Sequence, residues 1–336
     1  MLERPPQPLT ATAGTRAGMT ARRVVFAVLV IATMAAMIWL MVAALSPGGF
    51  GLADLVLTVL FAITLPWTVI GFWNALVGLA IMRLAADESA AVTPVVGRVR
   101  GDEPITASTA ILLCVRNEVP ARMIRNVEPM LDGIAAAGAG GRFHLYVLSD
   151  TNDPEIAAAE ERLFGALAEK WRGRIAVTYR RRTENTGFKA GNILDFCRRW
   201  GGEHELAVTL DADSFMPAEA VLRMVRIMQA DANIGILQGL VVGLPSTSAF
   251  ARLFQFGMRL SMRSYTLGSA WWQGDCGPYW GHNAVLRLKP FIEHCQIPTL
   301  PEITRLGVHI LSHDQIEAVL MRRAGAGVRA GLDGCG

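Results

Sequence analysis

No two of the five cysteines, at 114, 197, 276, 295 and 335, form a C-x-x-C pair. Their wide spacing and odd number exclude a disulfide framework or a zinc ribbon and fit reduced thiols in a cytosolic domain. Charge is also thin. The formal net charge is +3, and no basic stripe with interleaved aromatics removes it from the ordinary range, which excludes nucleic acid as a partner. No G-x-x-x-x-G-K-[ST] sequence occurs. The Gly-rich stretch AAGAGG at 136–141 precedes a strand candidate instead of following one, so neither a P-loop nor a Rossmann phosphate cradle fits the context. No internal repeat is present.

What is abundant is apolar sequence near the N-terminus. Val24–Leu45 (VVFAVLVIATMAAMIWLMVAAL) carries no charge, and Leu55–Met82 is almost wholly apolar after the break SPGGFG at 46–51. A transmembrane helix needs about 20 such residues. The first run is too long for a signal-peptide core and no A-x-A site follows it. The expectation is a two-helix membrane hairpin over 21–83, after a polar, disordered tail at 1–20 and before a linker at 84–104. Arg16, Arg22 and Arg23 precede the first span, Arg83, Arg98 and Arg100 follow the second, and the intervening loop has no Lys or Arg. The positive-inside rule then puts the N-terminus and everything after Arg83 in the cytoplasm.

From Thr109 the pattern changes. Strand candidates TAILLCV (109–115), FHLYVLS (143–149), RIAVTY (174–179), LAVTL (206–210) and IGILQGLVV (234–242) alternate with helix candidates at 120–131, 154–171, 190–200 and 217–230. That alternation predicts an α/β fold, a mainly parallel sheet with helices on both faces. In such sheets ligands bind beyond the carboxyl ends of the strands. Those ends are polar here: Arg116-Asn117-Glu118, Asp150-Thr151-Asn152-Asp153, the run RRRTENTGFKAGN, and Asp211-Ala212-Asp213.

Two readings of Asp211-x-Asp213 stand side by side. Asp favours turns, and the pair closes a strand. Alternatively the carboxylates hold a hard divalent cation, Mg²⁺ or Mn²⁺, which keeps sites free for phosphate oxygens. Lys189 in TGFKAGN suits a diphosphate, or is a solvated first-turn lysine. Asp314, in LSHDQIEAVLMRRAG (311–325), is either a base or part of a helix start, since Ser312-x-x-Gln315 has the capping-box spacing. His309 and His313 have the i, i+4 spacing of a zinc pair but lack the intervening Glu and a third ligand. The stretch WWQGDCGPYWGHNAVLRLKPF (271–291) suits a sugar ring or a membrane interface. Residues 246–268 read as an amphipathic helix that lies on a bilayer or packs on the sheet.

Glu118, Asp150, FKAGN, D-A-D and a later H-D before a helix together resemble family 2 inverting glycosyltransferases with a GT-A fold, the broad group of the cellulose synthases. QGDCGPYWGHNAVLRLKPF and HILSHDQIEAVLMRRAG are similar to the glucans biosynthesis glucosyltransferase H family, which makes the backbone of osmoregulated periplasmic glucans in Gram-negative bacteria. The resemblance runs from about residue 20 to the end. It implies that Glu118 and Asp150 line a uridine pocket and that Lys189 lies near the diphosphate. It further implies that Asp211 and Asp213 hold metal and donor, and that Asp314 is the catalytic base. It also implies UDP-glucose as donor, a glucan acceptor, a bacterial inner-membrane location, and other glucan-synthesis proteins and acyl carrier protein as partners. Ser-His-Asp replaces the Thr-Glu-Asp of cellulose synthases.

The chain ends soon after VRAGL, before the Q-x-x-R-W-like segment and later spans of the group, so a truncated GT-A domain over 105–336 is expected. Two alternatives remain. One is another family 2 synthase making a cellulose-like or hyaluronan-like polymer or a glycolipid. The other is a catalytically silent, membrane-anchored sugar-nucleotide-binding module.

Overall fold

The computed structural model describes residues 13–243, 246–297, 310 and 312–331. In chain order the elements begin with α1 (Ala13–Leu45), α2 (Leu52–Leu84), α3 (Glu88–Val92), β1 (Thr109–Val115) and α4 (Pro120–Ala136). Next come β2 (Phe143–Ser149), α5 (Pro154–Trp171), β3 (Ala176–Arg181), α6 (Phe188–Trp200), β4 (Leu206–Asp211) and α7 (Ala218–Ala230). β5 (Ile234–Gly239), α8 (Ala249–Gln273), β6 (Ala284–Arg287), α9 (Leu288–His294), α10 (His313–Arg323) and β7 (Gly327–Gly331) complete the order. Among the described residues the chain divides into two units, residues 93–241 with 275–331 and residues 13–92 with 242–274.

The first unit is built on a seven-stranded sheet of order β3-β2-β1-β4-β6-β5-β7. β3, β2, β1 and β4 are parallel, β6 runs antiparallel between β4 and β5, and β5 is parallel to β7. Parallel strands are buried on both faces, hence the continuous apolar runs. The period-2 alternation still sorts them. Ile111, Leu113, Leu145, Val147, Val208 and Leu210 face a core shared with α4, α5 and α7. Ala110, Leu112, Tyr146, Leu148 and Ala207 face a second core with α6, α9 and α10. The mainly parallel α/β architecture is the one expected.

β1 and β2 start and stop where the sequence places them. β3 is displaced to Ala176–Arg181, because the N–H groups of Arg174 and Ile175 bond the carbonyl of Trp171 as α5 ends. β5 stops at Gly239 instead of running to 242, and Gly239 N donates to Asn283 O. α4 continues to Ala136 because Ile134 is fully buried in the core. Pro154 occupies the first turn of α5, with Asp153 accepting from Glu155 N and Ile156 N. The stretch read as a linker, 84–104, contains α3 and buries Val95, Val96 and Val99 in the first core. α1 begins at Ala13, inside the stretch read as a tail; residues 1–12 lie outside those described.

β1 is followed by β2 on one side and, after the crossover through β3 and α6, by β4 on the other. The carboxyl ends of β1 and β4 therefore part at the position where such sheets bind ligands.

In the second unit α1 and α2 are both long and apolar enough to cross a membrane, with mean hydropathies of 2.6 and 2.2 over their most apolar windows. α8 packs on α2 at backbone distance. A Cβ added to Gly268 would lie 1.9 Å from Asn74 O, and one added to Gly78 would lie 1.7 Å from Ser264 O. Small residues of this kind let apolar helices approach closely. Trp272 Nε1 donates to Asn74 Oδ1 at 3.0 Å, and Trp73 Nε1 to Thr33 Oγ1 at 3.0 Å. Phe26 stacks on Trp272 at 4.7 Å. Arg23 donates to Trp272 O and Gln273 O, and Arg22 to Trp271 O, covering carbonyls left without partners at the end of α8. The amphipathic helix expected at 246–268 is thus α8, and its packing partner is α2. Its first half leaves Phe250, Leu253 and Phe254 exposed.

Candidate active site

Every residue expected at the site, apart from Asp314, lies in or just after a strand or in the first turn of the helix that follows one. Asp150 directly follows β2 and is buried. Its two carboxylate oxygens accept from Arg182 Nε and Nη2 at 2.7 and 2.6 Å, and its carbonyl accepts from Asn185 Nδ2 at 2.6 Å. Bidentate geometry of this kind is among the stronger polar pairings. Arg182 also donates to Thr186 O and Phe188 O, and so it shapes the loop that delivers Lys189. Sequence reasoning missed Arg182; the signal was the triple arginine 180–182 that closes β3, in which no residue stands out by spacing.

The TGFKAGN segment divides its work. Asn192, buried, donates to Leu148 O at 2.9 Å and accepts from Arg180 Nη1 at 2.6 Å, tying α6 to the ends of β2 and β3. Lys189, in the first turn of α6, donates to the Asp211 carboxylate and to Gly281 O at 2.9 Å. It is therefore an engaged lysine, and the solvated alternative falls.

Asp211 is the last residue of β4, opposite Cys114 of β1. Its N–H donates to Ser214 Oγ, and Ser214 N–H donates back to its carbonyl. Asp211-Ala212-Asp213-Ser214 is thus a turn, as the simpler reading has it. The same turn sets the Asp211 carboxylate against the ammonium of Lys189. Asp213 is exposed, and no partner holds its carboxylate among the described residues. Burial pushes the Cys114 thiol up to about 11, which keeps it an inert neighbour.

Asp314 occupies the first turn of α10, and Ser312 Oγ donates to its Oδ1 at 3.1 Å. The capping-box alternative is not built. Ser312 makes no side-chain cap bond, and Gln315 Nε2 donates to Tyr279 O at 2.8 Å instead of reaching back. His313 is buried against Glu317, Nδ1 to Oε2 at 3.0 Å, and His309 lies outside the described residues. Burial raises the Glu317 carboxyl above its ordinary range, with His313 opposing.

Gly281 joins the two ends of the site. It sits at φ +77°, and a Cβ there would be 3.5 Å from Asp314 Cβ and 3.8 Å from Lys189 Nζ. Its loop is held by Gln238, which accepts from Trp280 N and donates to His282 O, and by Asn283 N donating to Thr209 O. Sequence reasoning missed Gln238. Lys189, Asp211 and Asp314, which span 126 positions of the chain, thereby meet around one glycine. The aromatic stretch 271–291 splits: Trp271 and Trp272 belong to α8, whereas Tyr279 and Trp280 belong to this loop.

Glu118 is exposed in the loop after β1, and Asn117, at φ +55°, clasps that loop to Asn152 and Asp153. Among the described residues no group of three His, Cys, Asp or Glu could hold a metal by itself. Two carboxylates are enough for a cation that takes its remaining ligands from a diphosphate and water. In this structure the Asp211 carboxylate is paired with the Lys189 ammonium.

Residues 111–295 match Glycosyl transferase family 2. The chain is 41% identical over 276 residues to a protein named glucans biosynthesis glucosyltransferase H from Pseudomonas paraeruginosa (strain DSM 24068 / PA7), covering 82% of this chain and 32% of that protein. It is also 41% identical over 277 residues to the protein of the same name from Pseudomonas entomophila (strain L48), with the same coverage. The chain thus spans about a third of the length of the curated relatives it matches. Among solved structures, mannosyltransferase PcManGT from Pyrobaculum calidifontis, in complex with GDP-Man and Mn2+, is 14% identical with a TM-score of 0.42, covering 77% of this chain and 66% of that one. With the family matched from residue 111 in β1 to residue 295 at the end of α9, the chain belongs to glycosyl transferase family 2, and its mainly parallel sheet is the GT-A-type α/β fold of that family.

Proposed function

We propose that this chain carries the donor site and base of a membrane-bound inverting glucosyltransferase that moves glucose from UDP-glucose to a growing β-glucan. The observation that carries this reading is the meeting of Lys189, Asp211 and Asp314 around Gly281. With Lys189 and Asp314 both within 4 Å of a Cβ placed on Gly281, a leaving group paired with Lys189 and Asp211 would depart close to the base.

The chemistry follows from those roles. Glu118 and Asp150 border the uridine, with Asp150 held in place by Arg182. Asp211 and Asp213 would hold a divalent cation, which when bound neutralises the diphosphate of the leaving UDP. Lys189 moves from Asp211 toward a phosphate oxygen as the donor enters. Asp314 accepts the proton of the acceptor hydroxyl, whose oxygen forms the new bond to the anomeric carbon from the face opposite UDP. The bond from that carbon to UDP breaks, its electron pair leaves with the diphosphate, and the α configuration becomes β.

The same reading makes α1 and α2 spans of a bacterial inner membrane, with the N-terminus and the sheet unit cytoplasmic, supported by the flanking arginines. The test is transfer of labelled sugar by membranes containing the chain, with UDP-glucose and UDP-N-acetylglucosamine compared. β-Linked glucan from UDP-glucose is expected. A product from UDP-N-acetylglucosamine alone assigns a different polymer, and UDP binding without transfer from either donor favours the silent binding module.

A further inference from the structure

Beneath the rim lies a carboxylate that this chemistry does not use. Glu160, in α5, is fully buried. Its oxygens accept from three hydroxyls: Ser149 at 2.6 Å and Tyr179 at 2.9 Å on Oε2, and Thr151 at 2.7 Å on Oε1. Among the described residues no cation pairs with it. A carboxyl group at that depth is tolerated only where its oxygens are met by donors, and here every donor is a hydroxyl.

Two of those hydroxyls flank Asp150. Thr151 Oγ1, its proton given to Glu160, accepts the N–H of Asn117 at 2.9 Å, and Ser149 Oγ accepts the N–H of Thr151 at 3.2 Å. Asn117 then accepts the N–H groups of Asn152 and Asp153 at 3.1 and 3.2 Å and donates to Asn152 Oδ1 at 2.7 Å. A hydroxyl can point its proton either way. A group that only accepts removes that choice for Ser149 and Thr151 together. Burial, with Glu160 adding to it, pushes the Tyr179 phenol well above its ordinary range and keeps it a donor as well. One side chain thus fixes the Thr151 hydroxyl so that its lone pair is turned to the Asn117 N–H, the bond that helps join loops 116–118 and 150–153, which carry Glu118 and Asp150.

We propose that Glu160 is a positioning residue for the nucleotide end of the donor, acting through Ser149 and Thr151 without touching the ligand. The proposal rests on the nucleotide-pocket reading above. Glu160→Gln keeps the size but introduces an N–H₂ that donates, so one hydroxyl must turn its proton away from residue 160 and compete for the lone pair that receives the loop N–H. The measurement is UDP affinity of the detergent-solubilised chain by titration calorimetry, beside the thermal midpoint of the same preparation. Glu160→Gln should weaken UDP roughly tenfold, the scale of one mis-set hydrogen bond. Tyr179→Phe, which removes the one hydroxyl partner that does not flank Asp150, should lower the midpoint yet leave UDP affinity within about twofold. Should Glu160→Gln fail to fold, Thr151→Val severs the link between Glu160 and Asn117 and is expected to weaken UDP to the same degree. Unchanged UDP affinity in the folded variant overturns the role of Glu160 and leaves the pocket standing. Absence of UDP binding by the unaltered chain overturns the pocket and the role together.

Discussion

Lys189 Nζ donates to the carbonyl oxygen of Gly281 at 2.9 Å while it also holds the Asp211 carboxylate. One ammonium therefore ties the end of β4 to the loop that passes Asp314. Gly281→Ala adds a Cβ within 4 Å of both Lys189 and Asp314 at a φ of +77° that L-residues rarely adopt. The expected result is a stability loss of about 1 kcal/mol. A fall in turnover larger than the fall in UDP affinity should accompany it. Thermal unfolding and transfer assays on the same variant check it; unchanged turnover would separate this loop from the reaction.

Asp314→Asn distinguishes base from structural residue. Asp314 lies one residue inside α10, so losing its charge should cost only about 0.3–1 kcal/mol and the thermal midpoint should nearly hold. An amide does not take the acceptor's proton, so turnover should fall by roughly 10²-fold or more at near-normal UDP affinity. Normal transfer would leave the site without a base.

Asp213→Asn keeps size and removes charge from the exposed member of the pair. UDP binding should lose most of its dependence on added Mg²⁺ or Mn²⁺, read by calorimetry with and without the ion. An unchanged metal dependence would make Asp211-x-Asp213 a strand-closing turn and nothing more.

Stability of the sheet unit should fall in mild acid. Burial lowers the His144 imidazole to about 4, with His204 adding to it, and burial lowers His204 as well. His204 bridges Ser108 Oγ at 2.8 Å and Tyr146 OH at 2.9 Å, while His144 Nε2 meets Thr178 Oγ1 at 2.8 Å. Folded-state values below the ordinary 6.5 mean that the unfolded chain binds more protons in this range. The stabilisation is complete above that ordinary value and is lost as pH falls from it toward about 4. His144→Gln, which does not titrate, should flatten the slope of thermal midpoint against pH over this window. An identical slope would place the acid sensitivity elsewhere.

Topology is tested by thiol labelling. A cysteine introduced by Ser46→Cys should react with a membrane-impermeant reagent in whole cells, and one introduced by Ala91→Cys should not. The reverse pattern would invert the proposed orientation.

Much of the framework was legible because its signals are local. Uninterrupted apolar runs mark α1 and α2, and continuous strand runs bounded by polar ends mark β1, β2 and β4. Asp153-Pro154 marks the start of α5 through a cap and a fixed φ. The candidate residues on the rim were legible as residue types at strand ends, and their roles came from the resemblance carried by the long motif segments.

What tertiary structure decided were the pairings between distant segments. β6 and β7, of four and five residues, carry too little periodicity to be read. They exist because Ala284–Arg287 finds β4 and β5 as partners and Gly327–Gly331 finds β5. The amphipathic pattern of α8 says that one face is buried; only packing says that Gly268 meets α2. Asp150 reads the same in sequence whether free or held, and the fold gives it Arg182. Gly281 looks like any loop glycine until Lys189 and Asp314 close on it from two helices. Local chemistry sets which residues turn, cap or extend, but which side chains share a site depends on long-range contacts, whose chain-closure cost is repaid only when the whole sheet forms.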